Sequence, residues 1–108
     1  MDSNPRTAIV PEKGDLLVCT VYDVLAKEHG PIFYAPNMGL LWRNVDGLIK
    51  QATNVNPSEF VVVIHGTFKV SDFNKPLFSY PYPVFFSTDR QPLSVDAVNF
   101  MVGKGEDL

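Results

Sequence analysis

Between residues 31 and 51 the chain changes from a short apolar run to a helical pattern of apolar and polar positions. Pro36 keeps Ala35 out of helical geometry, and the Asn37 side chain can accept hydrogen bonds from the first N–H groups of a helix. The apolar residues that follow recur three or four positions apart, as one face of a helix requires. They are Met38, Leu41, Trp42, Val45, Leu48, Ile49 and Ala52. The pattern predicts a helix that begins after Asn37 and packs through one face.

Four runs rich in β-branched and aromatic residues predict strands. They are residues 16–22, 32–35, 59–68 and 77–87. Residues 59–68 are mostly apolar on both alternating faces, which is typical of a central strand buried on two sides. Residues 23–30 end in the turn signal Gly30-Pro31, and we expect them to form a loop between the first two strands.

The last predicted strand contains Pro81 and Pro83, which lack the N–H groups needed for pairing. Because alternate residues direct these groups to the same edge, both prolines weaken one edge only. We therefore predict an edge strand. Its alternating positions would place five large side chains on one face: Phe78, Tyr80, Tyr82, Val84 and Phe86.

These elements predict an α+β fold in ββαββ order, with a small, mainly antiparallel sheet of about four strands and one main helix on one face. Residues 16–91 form the predicted domain and residues 1–15 a flexible arm. Residues 92–108 form either a short helix capped by Ser94 or an arm docked on a partner, ending in an acidic tail. Since one helix covers only one face, the tails or a second subunit must cover the other, and we expect a homodimer.

The composition suits one soluble domain. The chain has 108 residues, of which 45% are hydrophobic and 19% charged, and no apolar run is long enough to cross a bilayer. The single cysteine, Cys19, allows no disulfide framework, which fits a reducing cytoplasm. The net charge is −3, but between residues 16 and 91 six basic residues balance six acidic ones. This balance disfavours long-range electrostatic capture of nucleic acid.

Catalytic and metal-binding signatures are missing from the sequence. It contains no nucleophile-elbow, zinc-protease or phosphate-loop motif. His29 and His65 lie far apart, without acidic residues or cysteines at metal-ligand spacing. Asp23 at the end of a strand is more typical of a turn cap than of an acid or base. We therefore expect a non-enzymatic protein with no cofactor and no metal.

Four short motifs occur in a characteristic order. They are VYD at residues 21–23, PIFYAPNMG at 31–39 with Arg43 in the helix that follows, NPSEF at 56–60 and HGTF at 65–68. In these motifs the chain resembles the small non-structural protein of gokushovirus-type microviruses, which are single-stranded DNA phages. The resemblance covers roughly residues 16–90. The chain departs from the usual pattern of the family at two places. The loop after Phe68, KVSDFNK, is less acidic than the family's, and the Pro-Tyr-Pro strand is more aromatic.

The resemblance implies a phage protein that binds single-stranded DNA in the cytoplasm of a bacterial host, in viral genome replication or packaging. The alternative is an assembly or protein-interaction factor that does not contact DNA directly.

Single-stranded DNA is commonly held by aromatic rings that stack on bases and by cations that follow the phosphates. The rings with this potential are Tyr80 and Tyr82, and the nearby cations are Lys69, Lys75 and Arg90. Arg43 and Lys50 lie seven residues apart on the polar face of the predicted helix and can contact successive phosphates. Equally, the tyrosines can be core or dimer contacts, and the helix cations can form an ordinary solvated face.

Overall fold

The computed structural model describes residues 14–52 and 55–106, which form six strands and two helices. In chain order they are β1 (Asp15–Asp23), β2 (Glu28–His29), β3 (Phe33–Ala35), α1 (Met38–Gln51), β4 (Phe60–Lys69), β5 (Leu77–Ser87), β6 (Pro92–Leu93) and α2 (Val95–Glu106). A 3-10 turn, Pro57–Glu59, precedes β4. All strand pairs are antiparallel, in the order β2-β1-β4-β5-β6, and β3 pairs with β1.

The predicted α+β class and the antiparallel sheet are confirmed, but the predicted counts of strands and helices are too low. The expected four strands correspond to β1, β3, β4 and β5. The other two strands have only two residues each, and β2 lies inside the segment predicted as a loop. Strands this short have no alternating pattern of their own, so only their partners reveal them.

Strand β4 is central, as predicted, with β1 on one side and β5 on the other. Val62 and Ile64 point into the core beneath α1, whereas Val61 and Val63 belong to a second core on the opposite face. Both faces of β4 are apolar because each one packs into a separate core.

Helix α1 begins where the sequence predicts. The Asn37 side chain accepts a hydrogen bond from the Leu40 N–H at 2.9 Å. Leu41, Trp42 and Val45 are buried against the sheet, and Ile49, farther along the stripe, packs against the same core. Leu48 is exposed, so the helix packs through most but not all of its apolar stripe.

Helix α2 decides between the two predictions for the C-terminal segment, because residues from Val95 onward are helical. The Ser94 hydroxyl accepts a hydrogen bond from the Ala97 N–H, as expected of a helix cap. Val98 is buried against Val61 and Val63, so α2 covers the face opposite α1. The homodimer was expected because that face lacked a cover, and α2 removes this reason. Residues 107 and 108 of the predicted acidic tail lie outside the described residues, as do residues 1–13 of the predicted N-terminal arm.

The prediction that β5 is the edge strand is wrong, because β6 pairs with its outer side at Phe85 and Phe86. The physical reasoning about proline still applies locally. Pro81 and Pro83 lie beyond the segment that β6 pairs with, and residues 80–83 have no register partner in β4 either. They form an excursion opposite His65, where the register of β4 also shifts.

Gly66 allows β4 and β5 to approach each other beside this irregularity. A Cβ atom at this position would overlap the backbone carbonyl of Phe78 in β5. Only glycine fits without a shift of the backbone.

No helix within the described residues is long and apolar enough to span a membrane. Cys19 is buried in the core beneath α1, and its burial raises the pKa of the thiol to about 12. The thiol is therefore protonated at neutral pH, as the interpretation of Cys19 as a small core residue requires.

Candidate functional site

Large apolar side chains are exposed on β3, in the turn between β4 and β5, and along β5 as far as the excursion at residues 80–83. Tyr34 is 48% exposed, Phe78 52%, Tyr82 72% and Phe73, in the turn itself, 88%. Isolated exposed rings are ordinary on a protein surface, but several on neighbouring elements indicate a contact surface. We call these residues, together with Phe68 and Leu77, the aromatic sheet end. Phe78 pairs with Thr67 and so lies on the opposite face of the sheet from Phe68 and Leu77.

The strand register shows how part of this surface is built. Phe68 lies opposite Leu16 on one side and Leu77 on the other, so the three side chains form a row across β1, β4 and β5. Leu17, the neighbour of Leu16, enters the core beneath α1. Since successive side chains point to opposite faces, the row lies on the face that α2 covers farther along the sheet.

Tyr34 of β3 extends this row. Its ring meets the ring of Phe68 edge-on, with centroids 5.8 Å apart. Helix α2 packs near Val61 and Val63, at the opposite end of β4. The Tyr34–Phe68 ring pair therefore lies on a part of the sheet face that α2 does not reach. Sequence analysis missed both residues, because each lies in a strand that the pattern predicted to be structural.

Tyr80 and Tyr82, the two predicted stacking residues, have different environments. Tyr80 packs against the core beneath α1, and burial, with a smaller contribution from Cys19, raises the pKa of its phenol. Its ring also meets Phe78 edge-on, with a centroid distance of 6.3 Å. Tyr82 is largely exposed. Of the two, only Tyr82 presents most of its ring to a ligand.

The two lysines that flank the β4–β5 turn also differ. Lys69 Nζ lies 3.2 Å from the carboxylate of Asp15, a residue that is itself buried. Lys75 is exposed, and the turn around it is held by Asp72, whose carboxylate accepts hydrogen bonds from the N–H groups of Asn74 and Lys75. Lys75 is thus the more accessible cation beside the aromatic sheet end.

Arg90 lies at the other end of β5. Its guanidinium donates to the carboxylate of Asp46 at 3.0 Å and stands 5.6 Å from the ring centre of Trp42. Both partners are on α1, so Arg90 fastens the β5–β6 connection to that helix. Arg43 and Lys50 are exposed on α1, three positions before and four positions after Asp46. These cations surround a carboxylate, which reduces their attraction for phosphate.

The predicted cations therefore form two groups rather than one site. Because Leu77 and Ser87 pair with Phe68 and Val61 of β4, β5 spans about 23 Å from end to end, and this length separates Lys69 and Lys75 from Arg90. Arg43 and Lys50 belong with Arg90 through their common neighbour Asp46. The sequence shows that these residues are near β5 or on α1, but it does not show which end of the strand each one occupies.

A polar cluster lies near the middle of the sheet. The Thr20 hydroxyl is 2.8 Å from Nδ1 of His29 and 2.8 Å from Nε2 of His65. The two imidazole centroids are 5.3 Å apart, and Tyr22 meets the His29 ring edge-on at 4.8 Å. Burial, followed by the effect of His29, lowers the pKa of His65. Sequence analysis treated the two histidines as distant, because β2, which carries His29, was not predicted.

Other side chains considered for chemistry have structural roles or isolated positions. Asp23 accepts hydrogen bonds from the N–H groups of Leu25 and Ala26, both at 3.0 Å, and so caps the β1–β2 turn. Among the described residues, no group of three or more His, Cys, Asp or Glu side chains is arranged to hold a metal ion. Chemically, the aromatic sheet end offers ring faces and apolar surface with one accessible lysine.

The described residues thus define a small α+β protein with an antiparallel sheet, a helix on each face and an aromatic sheet end. No protein-family model, no curated protein and no solved structure matches this chain.

Proposed function

We propose that this protein binds single-stranded DNA, with the rings of the aromatic sheet end stacking on bases. The observation that carries the proposal is the exposure of four rings on β3, on β5 and in the turn between β4 and β5: Tyr34, Phe73, Phe78 and Tyr82. Stacking of a base on an aromatic side chain contributes about 1–3 kcal/mol and tolerates any base sequence. Two or three such contacts are enough for a weak, sequence-independent interaction.

The charge distribution indicates that stacking contributes more than phosphate contacts. Lys75 is accessible at the aromatic sheet end, while Lys69 already pairs with Asp15. For single strands, each neutralised phosphate contributes about −0.7 to the slope of log affinity against log salt concentration. With one or two phosphates neutralised, we expect a slope of about −1, far shallower than for a protein with a basic groove.

The biological setting rests on the resemblance in four motifs. It supports a non-structural protein of a microvirus-type phage that acts in genome replication or packaging within the bacterial host cytoplasm. A role of this kind requires binding without sequence preference, which stacking provides. We retain a homodimer as part of the proposal, since two copies would place two aromatic surfaces on one strand of DNA and raise the apparent affinity.

Competition anisotropy tests the proposal. The purified protein is titrated into a labelled single-stranded oligonucleotide, which an unlabelled copy then displaces, at low and at moderate salt. We expect saturable binding that weakens modestly with salt. The variant Tyr82→Ala should bind several-fold more weakly, whereas Phe100→Ala, which removes an exposed ring from α2, should bind like the parent protein. Absence of binding at both salt concentrations would refute the proposal that the protein binds single-stranded DNA.

A second function is favoured by exposed aliphatic side chains at and beside the β4–β5 turn. Val70 and Leu77 are both more than half exposed beside the rings. Aliphatic side chains offer no stacking surface to a base, but they suit the apolar centre of a protein interface. If DNA does not bind and Leu77→Ser abolishes self-association or capture of a phage protein, the aromatic sheet end is a protein-binding surface.

A further inference from the structure

A cavity of about 260 Å³ lies between the sheet and α2, on the face opposite α1. Its floor comes from two adjacent strands, with Val61 and Val63 from β4 and Phe85 from β5. Val63 lies directly opposite Phe85 in the register, so hydrogen-bonded strands hold this floor in place. The floor of the cavity therefore lies on paired strands and not on a loop.

Helix α2 forms the opposite wall through Val98, Asn99 and Val102. The three residues lie within two turns of the helix, whose first turn is capped by Ser94. Val98 is buried, whereas Asn99 is exposed at the rim. The Asn99 amide carries both donors and an acceptor, so it can pair with a ligand edge that presents both kinds of group.

The third side of the cavity is aromatic and polar. Tyr22 and His29 line it, and their rings meet edge-on. The Nδ1 atom of His29 is engaged by the Thr20 hydroxyl, which holds the imidazole in place and leaves Nε2 as the ring nitrogen for a ligand. The lining thus combines aliphatic side chains and the aromatic rings of Tyr22 and Phe85 with a few polar groups, the usual composition of a small-molecule site.

Size and charge limit what can bind here. An engineered cavity of about 150 Å³ holds benzene, so by proportion about ten non-hydrogen atoms fit into this one. Among the described residues that line the cavity there is no lysine, arginine, aspartate or glutamate. Because an unpaired charge is costly to remove from water, an uncharged ligand is favoured. A flat ligand of this size with a hydrogen-bonding edge is a bicyclic heteroaromatic ring.

The geometry points to a binding site for a purine-sized, uncharged heteroaromatic ring between α2 and the sheet. The ring inserts between Phe85 and the valines of α2, and its polar edge meets Asn99 and His29. Such a ring can be a free base or a base of a nucleic acid strand. The site is separate from the aromatic sheet end and does not depend on DNA binding there.

The test uses the full chain, labelled with nitrogen-15, and adenine as the probe. Amide chemical shifts are followed during titration, and for a ligand of this size we expect a dissociation constant on the order of 1 mM or below. The largest shifts should fall on Val61, Val63, Phe85 and the segment from Val98 to Val102. Absence of shifts at millimolar adenine, or shifts centred elsewhere, overturns the proposal. This titration uses the unmodified chain, so it tests the proposed site even if the substitutions described below prevent folding.

Two variants define the contacts. Val102→Phe fills the cavity and should abolish the shifts, while Asn99→Leu removes the polar edge and should weaken binding about tenfold. Phe100→Leu on the same helix does not alter the lining and serves as the matched control. Adenine binding that is unchanged in both Val102→Phe and Asn99→Leu contradicts the assignment.

A short deoxyadenylate oligonucleotide identifies the source of the ring. Shifts of the cavity residues with both probes show that a strand can insert a base, and shifts with adenine alone show a site for a free base. Either result supports the cavity as a ring site. Loss of oligonucleotide binding in Tyr82→Ala, with adenine shifts retained, separates this site from the aromatic sheet end.

Discussion

The Thr20 hydroxyl lies 2.8 Å from Nε2 of His65, and this contact bridges the two longest-paired strands, β1 and β4. The same hydroxyl also contacts His29 on β2. A hydroxyl donates only one hydrogen bond, so at least one imidazole must donate its N–H to Thr20. The cluster therefore joins side chains of three paired strands, β1, β2 and β4, through one hydroxyl.

This cluster predicts that stability decreases in mild acid. Burial and the neighbouring His29 lower the pKa of His65 below its usual 6.5, so the folded chain binds a proton less readily than the unfolded one. The His65 contribution to the free energy of unfolding is fully present above pH 6.5 and is lost as the pH falls below that value. Denaturant titrations between pH 7.5 and pH 5 measure this loss.

The matched variant for this measurement is His65→Gln, which keeps a polar side chain but does not titrate. Its free energy of unfolding should depend less on pH over the same range. Parallel pH profiles for the variant and the parent protein would show that His65 does not contribute.

Gly66 and Gly47 should respond in opposite ways to substitution by alanine. At Gly66 the new Cβ overlaps the Phe78 carbonyl, and the required backbone shift should lower the free energy of unfolding by about 1–3 kcal/mol. At Gly47 in α1 the Cβ meets nothing within 4 Å, and the better helix propensity should add up to about 1 kcal/mol. Chemical denaturation of both variants measures the difference. A stable Gly66→Ala protein would mean that β4 and β5 can separate at low cost.

Replacement of each tyrosine of the Pro-Tyr-Pro segment separates packing from binding. Tyr80→Ala removes part of the core beneath α1 and should cost about 1–3 kcal/mol of stability. Tyr82→Ala removes an exposed ring and should change stability by no more than about 0.5 kcal/mol, while weakening DNA binding. Thermal unfolding and anisotropy on the same samples distinguish the two effects. Equal losses of stability would show that both rings are packed.

Arg90 should stabilise the packing of α1 even though it is exposed. Its contacts with Trp42 and Asp46 are each worth about 0.5–1 kcal/mol at exposed positions, so Arg90→Ala should cost about 1 kcal/mol. Asp46→Ala removes only the ion pair and should cost less. Arg43→Ala, on the same helix, is the control and should stay within about 0.5 kcal/mol of the parent. The ion-pair part should shrink at high salt, and an effect of Asp46→Ala that equals that of Arg90→Ala would exclude the ring contact.

The elements predicted correctly are those with local signals. Asn37 caps α1 through an atom three residues from its partner, and β4 shows its central position through valines on both faces. The short strands β2 and β6 have no such signal, since they exist only because β1 and β5 offer them an edge. The candidate site was predicted in part for the same reason. Tyr82 was found by composition, whereas Tyr34 and Phe68 become neighbours only through strand pairing.

The sequence by itself determined the α+β class, the antiparallel sheet, the start of α1 and the central place of β4, because caps and alternation act over a few residues. Tertiary structure decided which tyrosine is packed and which is exposed, that α2 covers the second face, and that Lys75 and Arg90 lie at opposite ends of β5. It also brought His29 and His65 to one hydroxyl. These relationships depend on register and bulges, which are set by contacts between segments distant in the chain.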